Sequence, residues 1–144
     1  MKTLHTAYRV SDLDRATAFY ETVGFREIGR VTLDDGSILL MLNLPDDGDV
    51  VTLELIHDPA VDRIDVGNGF SHLVVQKDDL GAALAQLDVD GIEYDGPHRP
   101  GGEAGPSTAF LFDPDGYRIE LVQWPAGHAK EMTKSDFPGD QSRA

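Results

Sequence analysis

The chain has 144 residues, of which 40% are hydrophobic, so it can form one compact domain or two small halves that share a core. Its 26 acidic and 12 basic residues give a net charge of −14, which argues against a nucleic-acid partner because phosphate groups would be repelled. The absence of cysteine excludes disulfides, thiolate metal ligands and cysteine nucleophiles.

The chain begins with alternating residues, which predict a strand over Leu4–Val10 and do not form the apolar run of a signal peptide. No stretch of the sequence approaches the roughly 18 consecutive apolar residues of a membrane-spanning helix. We therefore expect a cytoplasmic protein with no membrane partner.

A helix is predicted after this strand, because apolar residues recur at helical spacing. These residues are Leu13, Ala16, Tyr20 and Val23. Either Ser11 or Asp12 can cap the start of the helix, and Gly24 provides its C-terminal stop. Three strands follow, separated by turns rich in Asp and Gly, which tolerate the positive φ of tight hairpins. We predict them over Arg26–Leu33, Ile38–Asn43 and Val50–His57.

The second half repeats this plan at nearly the same intervals. A strand over Gly69–Gln76 precedes a helix that Asp78 or Asp79 can cap and that Gly91 ends. The buried stripe of this helix is expected to contain Leu80, Ala83, Leu84 and Leu87. Three further strands are predicted over Ile92–Tyr94, Thr108–Phe112 and Tyr117–Gln123.

The repetition predicts an α+β fold class with two tandem βαβββ modules, residues 1–57 and 69–124, in a single domain over 1–124. Residues 58–68 link the modules, and 125–144 form a polar tail in which Met132 and Phe137 can dock on the body. Residues 95–107 are rich in Gly and Pro and are predicted to be a loop. Such loops are often functional, although a solvated connector is the competing interpretation.

Each half carries one histidine near its start and one glutamate near its end. His5 and Glu54 lie 49 positions apart, and His72 and Glu120 lie 48 positions apart. Because alternate side chains of a strand point to opposite sides, both glutamates lie on the face opposite their apolar neighbours. A carboxylate in an otherwise apolar strand is costly to bury unless it is paired or bound to a metal.

A lone strand histidine is usually a core or surface residue, and a lone strand glutamate usually faces water. Four such residues at duplicated spacing favour a metal site instead. Imidazole and carboxylate together suit Zn, Ni or Co, and two of each leave room for a substrate or water. Three histidines have no symmetric counterpart and are not expected to be ligands: His57, His98 and His128.

Three segments carry a resemblance to a known family: LHTAYRVSDLDRATAFYETVGF, GFSHL and FDPDGYRIEL. From about Leu4 to Gln123 the chain resembles glyoxalase I (lactoylglutathione lyase) of the vicinal oxygen chelate superfamily, whose curved mixed sheets surround a metal site. The resemblance implies that the metal ligands are His5, Glu54, His72 and Glu120. The short chain is similar to the bacterial subset that nickel or cobalt activates, with zinc as the alternative.

The resemblance implies isomerisation of the hemithioacetal of methylglyoxal and a thiol to an S-D-lactoyl thioester, which detoxifies methylglyoxal. A metal would stabilise the enediolate that forms when the C–H proton leaves. Glu120 is the first candidate for the base that moves this proton, and Glu54 is the second. The family also implies a homodimer in which His5 and Glu54 of one subunit face His72 and Glu120 of the other.

Four residues bear on the thiol. Arg9 matches a family arginine that holds a glutathione carboxylate, whereas Asp58 stands where many relatives have asparagine and would repel that carboxylate. Arg99 stands where relatives usually offer a lysine, and the two side chains are not equivalent anion binders. His98, in the same loop, is expected to approach the substrate. The thiol is therefore open between glutathione and another small thiol.

Two other functions remain open. A different metalloenzyme of the superfamily, an epimerase or thiol transferase, would use the same metal site on another substrate. A metal-free drug-binding protein of the bleomycin-resistance type would sequester its ligand in a dimer cleft, and the retained ligand set argues against it. Metal content distinguishes the last function from the other two.

Overall fold

The computed structural model describes residues 1–139, in which the element order βαβββ occurs twice. The first module contains β1 (Thr6–Arg9), α1 (Leu13–Val23), β2 (Arg26–Thr32), β3 (Ile38–Asn43) and β4 (Leu53–His57). The second module contains β5 (Leu73–Gln76), α2 (Leu80–Val89), β6 (Asp95–His98), β7 (Ser107–Phe112) and β8 (Arg118–Gln123). The predicted α+β class with two tandem modules is confirmed.

Each module forms one four-stranded mixed sheet. The strand orders are β1-β4-β3-β2 and β5-β8-β7-β6. In both sheets the first strand of the module is parallel to its last strand, and the other neighbours are antiparallel. The start of each module therefore lies beside its end, which brings residues that are distant in sequence onto one face.

Both helices begin at an aspartate. The side chain of Asp12 accepts the N–H of Arg15 at 2.9 Å, and that of Asp79 accepts the N–H of Ala82 at 2.9 Å, so these residues are the N-caps. The buried stripes contain Leu13, Ala16, Phe19, Tyr20 and Val23 in α1, and Leu80, Leu84 and Leu87 in α2. No helix within residues 1–139 is long and apolar enough to span a bilayer.

Strand alternation separates the core from the open face of each sheet. The core-facing residues of the two final strands are at most 1% exposed: Leu53, Leu55, Ile119 and Leu121. Full burial of such a side chain contributes about 1.5–3 kcal/mol of hydrophobic stabilisation. The side chains between them point to the opposite face, where Glu54 and Glu120 lie.

The strand predicted over Ile92–Tyr94 is wrong, because β6 lies within the segment predicted to be a loop. Ile92 and Tyr94 pack partly buried against the core, so their alternation reflects packing and not pairing with β7. The β6 backbone approaches β7 closely at Gly96, where an added Cβ would lie 2.9 Å from the Cβ of Ala109. The pairing thus depends on a glycine that the composition alone assigns to a loop.

A polar network joins the two modules at the turn between β7 and β8. The hydroxyl of Tyr20 in α1 donates to Oδ2 of Asp113 at 2.8 Å and lies 2.6 Å from the hydroxyl of Tyr8. Burial raises the pKa of the Asp113 carboxyl, which is 5% exposed. The N–H of Ser11 donates to Asp115 in the same turn at 3.0 Å. The turn therefore supplies acceptors to the first module.

The C-terminal tail contacts both modules through Lys130. Its Nζ lies 3.3 Å from the Asp46 carboxylate of the first module and 3.0 Å from the Asp78 carboxylate of the second. Because these groups are largely exposed, water screens the ion pairs and they contribute little to stability. Met132 and Phe137 do not dock on the body as expected, since they are 61% and 63% exposed. The last five residues of the predicted tail lie outside the described residues.

Candidate active site

Each sheet carries one histidine–glutamate pair. The Nε2 atom of His5 lies 3.6 Å from Oε1 of Glu54, and the Nε2 atom of His72 lies 2.9 Å from Oε2 of Glu120. The four side chains are between 15% and 29% exposed. Solvent can therefore reach both pairs, although neighbouring side chains on the sheet cover most of their surface.

The parallel pairing within each module creates both pairs. Ala7 of β1 is level with Glu54, and Val74 of β5 is level with Glu120. Each histidine lies two residues before these positions, immediately before its strand begins. Since side chains two residues apart share a face, the imidazole and the carboxylate meet on the same side of the sheet.

Within each pair, the two donor atoms are spaced so that both could bind the same divalent cation. Donors bound at about 2.0–2.1 Å to a single ion lie about 2.9–3.4 Å apart, close to both separations in the structure. Imidazole nitrogen and carboxylate oxygen are also donors that Zn, Ni and Co accept. The Ser71 hydroxyl lies 2.8 Å from Nδ1 of His72, which orients the ring so that Nε2 faces Glu120.

The two pairs do not come together within the described chain. In residues 1–139, no three side chains of His, Asp or Glu form a group able to hold a metal ion. One pair lies on the first sheet and the other on the second. Each chain therefore carries two separate pairs of candidate ligands, which we call half-sites.

The predicted substrate-binding residues of the first module lie at one edge of the sheet. Because β1 and β4 are parallel, both end at this edge. Arg9 is the last residue of β1 and shares the face of His5. Asp58 follows the last residue of β4, and its Oδ1 accepts the N–H of Ala60 at 2.9 Å. Opposite charges thus flank the first half-site.

The predicted substrate-binding residues of the second module lie on and after β6, two strands from β8. Nε2 of His98 lies 2.8 Å from Oδ1 of Asp95, and Nη1 of Arg99 donates to the carbonyl oxygen of Glu103 at 3.3 Å. Both side chains are exposed and make these contacts within their own segment. They lie at the outer edge of the sheet that carries the second half-site.

An aromatic and cationic cluster beside His72 was not anticipated from the sequence. Phe110 of β7 is level with Glu120, and its ring meets the His72 ring edge-on with centroids 5.9 Å apart. The Cζ atom of Arg118 lies 3.7 Å from the centre of the Phe110 ring. Strand alternation places Arg118 on the face of Glu120, but its contact with Phe110 depends on the register of β7 against β8.

A cleft of about 770 Å³ lies between the modules, along β5 and the connection from β3 to β4. Lys77 and Lys130 line it together with three aspartates, and none of the four predicted ligands does. The groups suited to metal chemistry therefore lie on the open sheet faces and not in this cleft.

Comparisons with known proteins agree with this arrangement. The sequence profile of the Glyoxalase/Bleomycin resistance protein/Dioxygenase superfamily matches residues 2–121. A lactoylglutathione lyase of Neisseria meningitidis serogroup A is 33% identical over 132 residues, which cover 88% of this chain and 94% of the relative.

Two solved structures are similar in fold and in length. The trypanothione-dependent glyoxalase I of Leishmania major has a TM-score of 0.71 and 29% identity, covering 85% of this chain and 86% of that chain. TnmS3, an antibiotic-binding protein from Streptomyces sp. CB03234, has a TM-score of 0.66 and 27% identity, covering 87% and 97%. The same fold therefore serves both an enzyme and a binding protein among these neighbours.

Proposed function

Because the chain belongs to the glyoxalase/bleomycin resistance protein/dioxygenase superfamily, we propose that it is a metal-dependent lyase of the lactoylglutathione lyase type. Its substrate is the hemithioacetal of methylglyoxal and a small thiol, and its product is an S-D-lactoyl thioester. The observation that carries this proposal is the pair of imidazole–carboxylate half-sites, one on each open sheet face.

The proposed ligands are His5, Glu54, His72 and Glu120, and the proposed ion is nickel or cobalt, with zinc as the alternative. A divalent cation at these groups would act as a Lewis acid and withdraw negative charge from the oxygens beside the C–H bond that breaks. Two imidazoles and two carboxylates would neutralise the ion and leave positions for those oxygens.

The proton transfer is assigned to this chain's own carboxylates. We propose that Glu120 takes the proton from the carbon next to the thiol sulfur and returns it to the neighbouring carbon. Glu54 is the second candidate for this role. The Phe110 ring lies level with Glu120, and the two glutamates are similarly exposed, at 18% for Glu120 and 15% for Glu54.

We propose a homodimer in which each metal is shared between subunits. The separation of the two half-sites within one chain supports this, because a second copy supplies the missing pair of ligands. Symmetry then gives two equivalent sites per dimer and one ion per chain.

The test is a turnover assay of protein reconstituted separately with Ni, Co and Zn, using methylglyoxal and a panel of small thiols. We expect thioester formation with at least one thiol, loss of activity in His5→Ala, and retained activity in the matched control His57→Gln. His57 lies at the end of β4, and strand alternation places it on the opposite face from Glu54. Activity with none of the thiols contradicts the proposal and favours an epimerase or thiol transferase.

A binding protein is the second candidate, because the fold is shared with an antibiotic-binding protein at 27% identity. This function predicts that the purified chain contains no stoichiometric metal. Elemental analysis distinguishes the two, since the lyase requires about one ion per chain.

A further inference from the structure

Arg118 lies on the Glu120 face of β8, two residues before the glutamate. Its direct neighbour across the strands is Phe112, yet its guanidinium carbon lies 3.7 Å from the centre of Phe110. Phe110 is level with Glu120 on the neighbouring strand. The arginine therefore leans along the sheet towards the second half-site and not straight across to its partner.

The Phe110 ring holds both groups of this cluster in place. One side of the ring carries the guanidinium, and the His72 ring meets Phe110 at an interplanar angle of 86°. A guanidinium over an aromatic ring is attracted by the π electrons, while the N–H groups at its edge stay free to donate. The stacking thus fixes the plane of the donors beside the proposed metal ligands.

These donors have no protein partner within residues 1–139, although the chain contains 26 acidic residues. Other cations do find one: Arg30 lies 2.6 Å from Glu27, and Lys130 contacts two aspartates. Arg118 forms no such salt bridge or side-chain hydrogen bond among the described residues. An oriented guanidinium without a carboxylate partner is suited to bind a carboxylate from a ligand in two parallel hydrogen bonds.

We propose that Arg118 anchors a carboxylate of the thiol half of the substrate, an inference that rests on the proposed function. Arg9 lies on the His5 face of the first sheet, so two half-sites brought together would present an arginine from each module. Arg118 would then favour thiols that carry a carboxylate over thiols that do not. Fixed cations are needed for such an anion, because a protein of net charge −14 repels it elsewhere.

The test compares methylglyoxal adducts of glutathione, which has two carboxylates, with those of glutathione diethyl ester, in which both are masked. In Arg118→Gln we expect KM for the glutathione adduct to rise about ten-fold or more, with kcat nearly unchanged, because a charge-assisted hydrogen bond is lost. For the diethyl ester adduct we expect no change. Arg118→Lys should be intermediate, since it retains the charge but not the planar pair of donors.

Arg15→Gln is the matched control, because it removes the same charge from the exposed face of α1. Equal effects of Arg118→Gln on both adducts, or no effect on either, overturn the proposal. A second readout is calorimetric binding of glutathione itself to each protein. Weaker binding in Arg118→Gln supports the anchor even if the wild type turns over no adduct, in which case only the proposed reaction fails. Absence of glutathione binding to the wild type overturns the anchor.

Discussion

Glu120 combines two properties that a proton-transferring carboxylate requires. Its Oε2 atom lies 2.9 Å from the His72 imidazole, while its neighbours on the same face are the Phe110 ring and Val74. The carboxylate remains 18% exposed, so a substrate on the open sheet face can reach it. Glu54 lies level with Ala7 and Met41, and its Oε1 is 3.6 Å from His5, so the two glutamates have related but not identical surroundings.

We predict that Glu120→Gln lowers kcat by about 10²–10⁴-fold, because the amide oxygen can still face a cation but the side chain cannot accept a proton. Metal content should be partly preserved, as measured by elemental analysis. Glu93→Gln, at an exposed position, is the matched control and should leave kcat unaltered. Full turnover by Glu120→Gln would transfer the role of base to Glu54.

The C-terminal tail is held by a contact that depends on protonation. The His128 ring stacks on Trp124 with centroids 4.4 Å apart and an interplanar angle of 17°. Its Nδ1 lies 2.5 Å from the carbonyl oxygen of Ala129, and its Nε2 lies 2.6 Å from Asp136. Both partners accept hydrogen bonds, and only the imidazolium carries two N–H groups. The bond to Ala129, followed by that to Asp136, raises the pKa of His128.

A raised folded pKa means that His128 stabilises the folded tail below the unfolded pKa of about 6.5 and loses this contribution as the pH rises through the folded value. Trp124 is the only tryptophan, so its fluorescence reports on the contact. We predict that emission increases as the pH rises past the His128 pKa, because an imidazolium stacked on indole quenches it. The transition should vanish in His128→Gln and persist in His57→Gln.

One strand, β6, lies in a segment that the sequence predicts to be a loop. Ile92 and Tyr94 have the alternation of a strand, and the residues of β6 have the composition of a loop. The pairing of β6 with β7 requires a close approach of the two backbones at residue 96. Gly96 allows that approach, whereas a residue with a larger side chain does not. Local pattern identified seven of the eight strands in approximate position, and the exception is the strand whose formation depends on a distant partner.

At the scale of the whole molecule, the Tyr20–Asp113 contact is a buried polar link between the two modules. Tyr20 is fully buried, and its hydroxyl links Tyr8 of the first module to the β7–β8 turn of the second. A buried acceptor that loses its donor carries a desolvation cost that no water offsets. Oδ1 of Asp113 accepts the N–H groups of Asp115 and Tyr117 at 2.9 and 2.8 Å, so three donors satisfy a carboxylate that is 5% exposed.

We predict that Tyr20→Phe lowers the free energy of unfolding by about 1–3 kcal/mol in urea denaturation, because Oδ2 of Asp113 loses its donor while Oδ1 keeps its two backbone donors. Tyr94→Phe is the matched control, since its hydroxyl donates to Asp88 at an exposed site. The control should leave the free energy of unfolding nearly unchanged. Equal losses in both variants would show that the buried contact has no special role.

Sites shared between subunits can be tested by mixing two variants that are each inactive alone. One variant lacks the first pair of ligands (His5→Ala with Glu54→Ala) and the other lacks the second pair (His72→Ala with Glu120→Ala). Each alone should be inactive. If subunits exchange at random, half of the dimers are mixed, and each mixed dimer retains one complete site, so about a quarter of wild-type activity returns. No recovery from two folded, exchanging variants would contradict shared sites.

The sequence by itself determined which residues share a face, because alternation along a strand and spacing along a helix are local properties of the backbone. The placement of Glu54 and Glu120 opposite their apolar neighbours follows from that periodicity, as does most of each buried stripe. Ala83 is only partly buried, and the buried Phe19 of α1 was not predicted. The choice of Asp12 over Ser11 as the cap required the observed hydrogen bond, since both residue types accept equally well.

Only the tertiary structure decided how distant segments meet. The lean of Arg118 onto Phe110, the burial of Asp113 under Tyr20 and the location of β6 each depend on register or packing between elements far apart in sequence. The separation of the two half-sites also depends on packing between distant elements. Duplicated spacing gives each module its own histidine and glutamate, but the packing of the modules holds those pairs on different sheets.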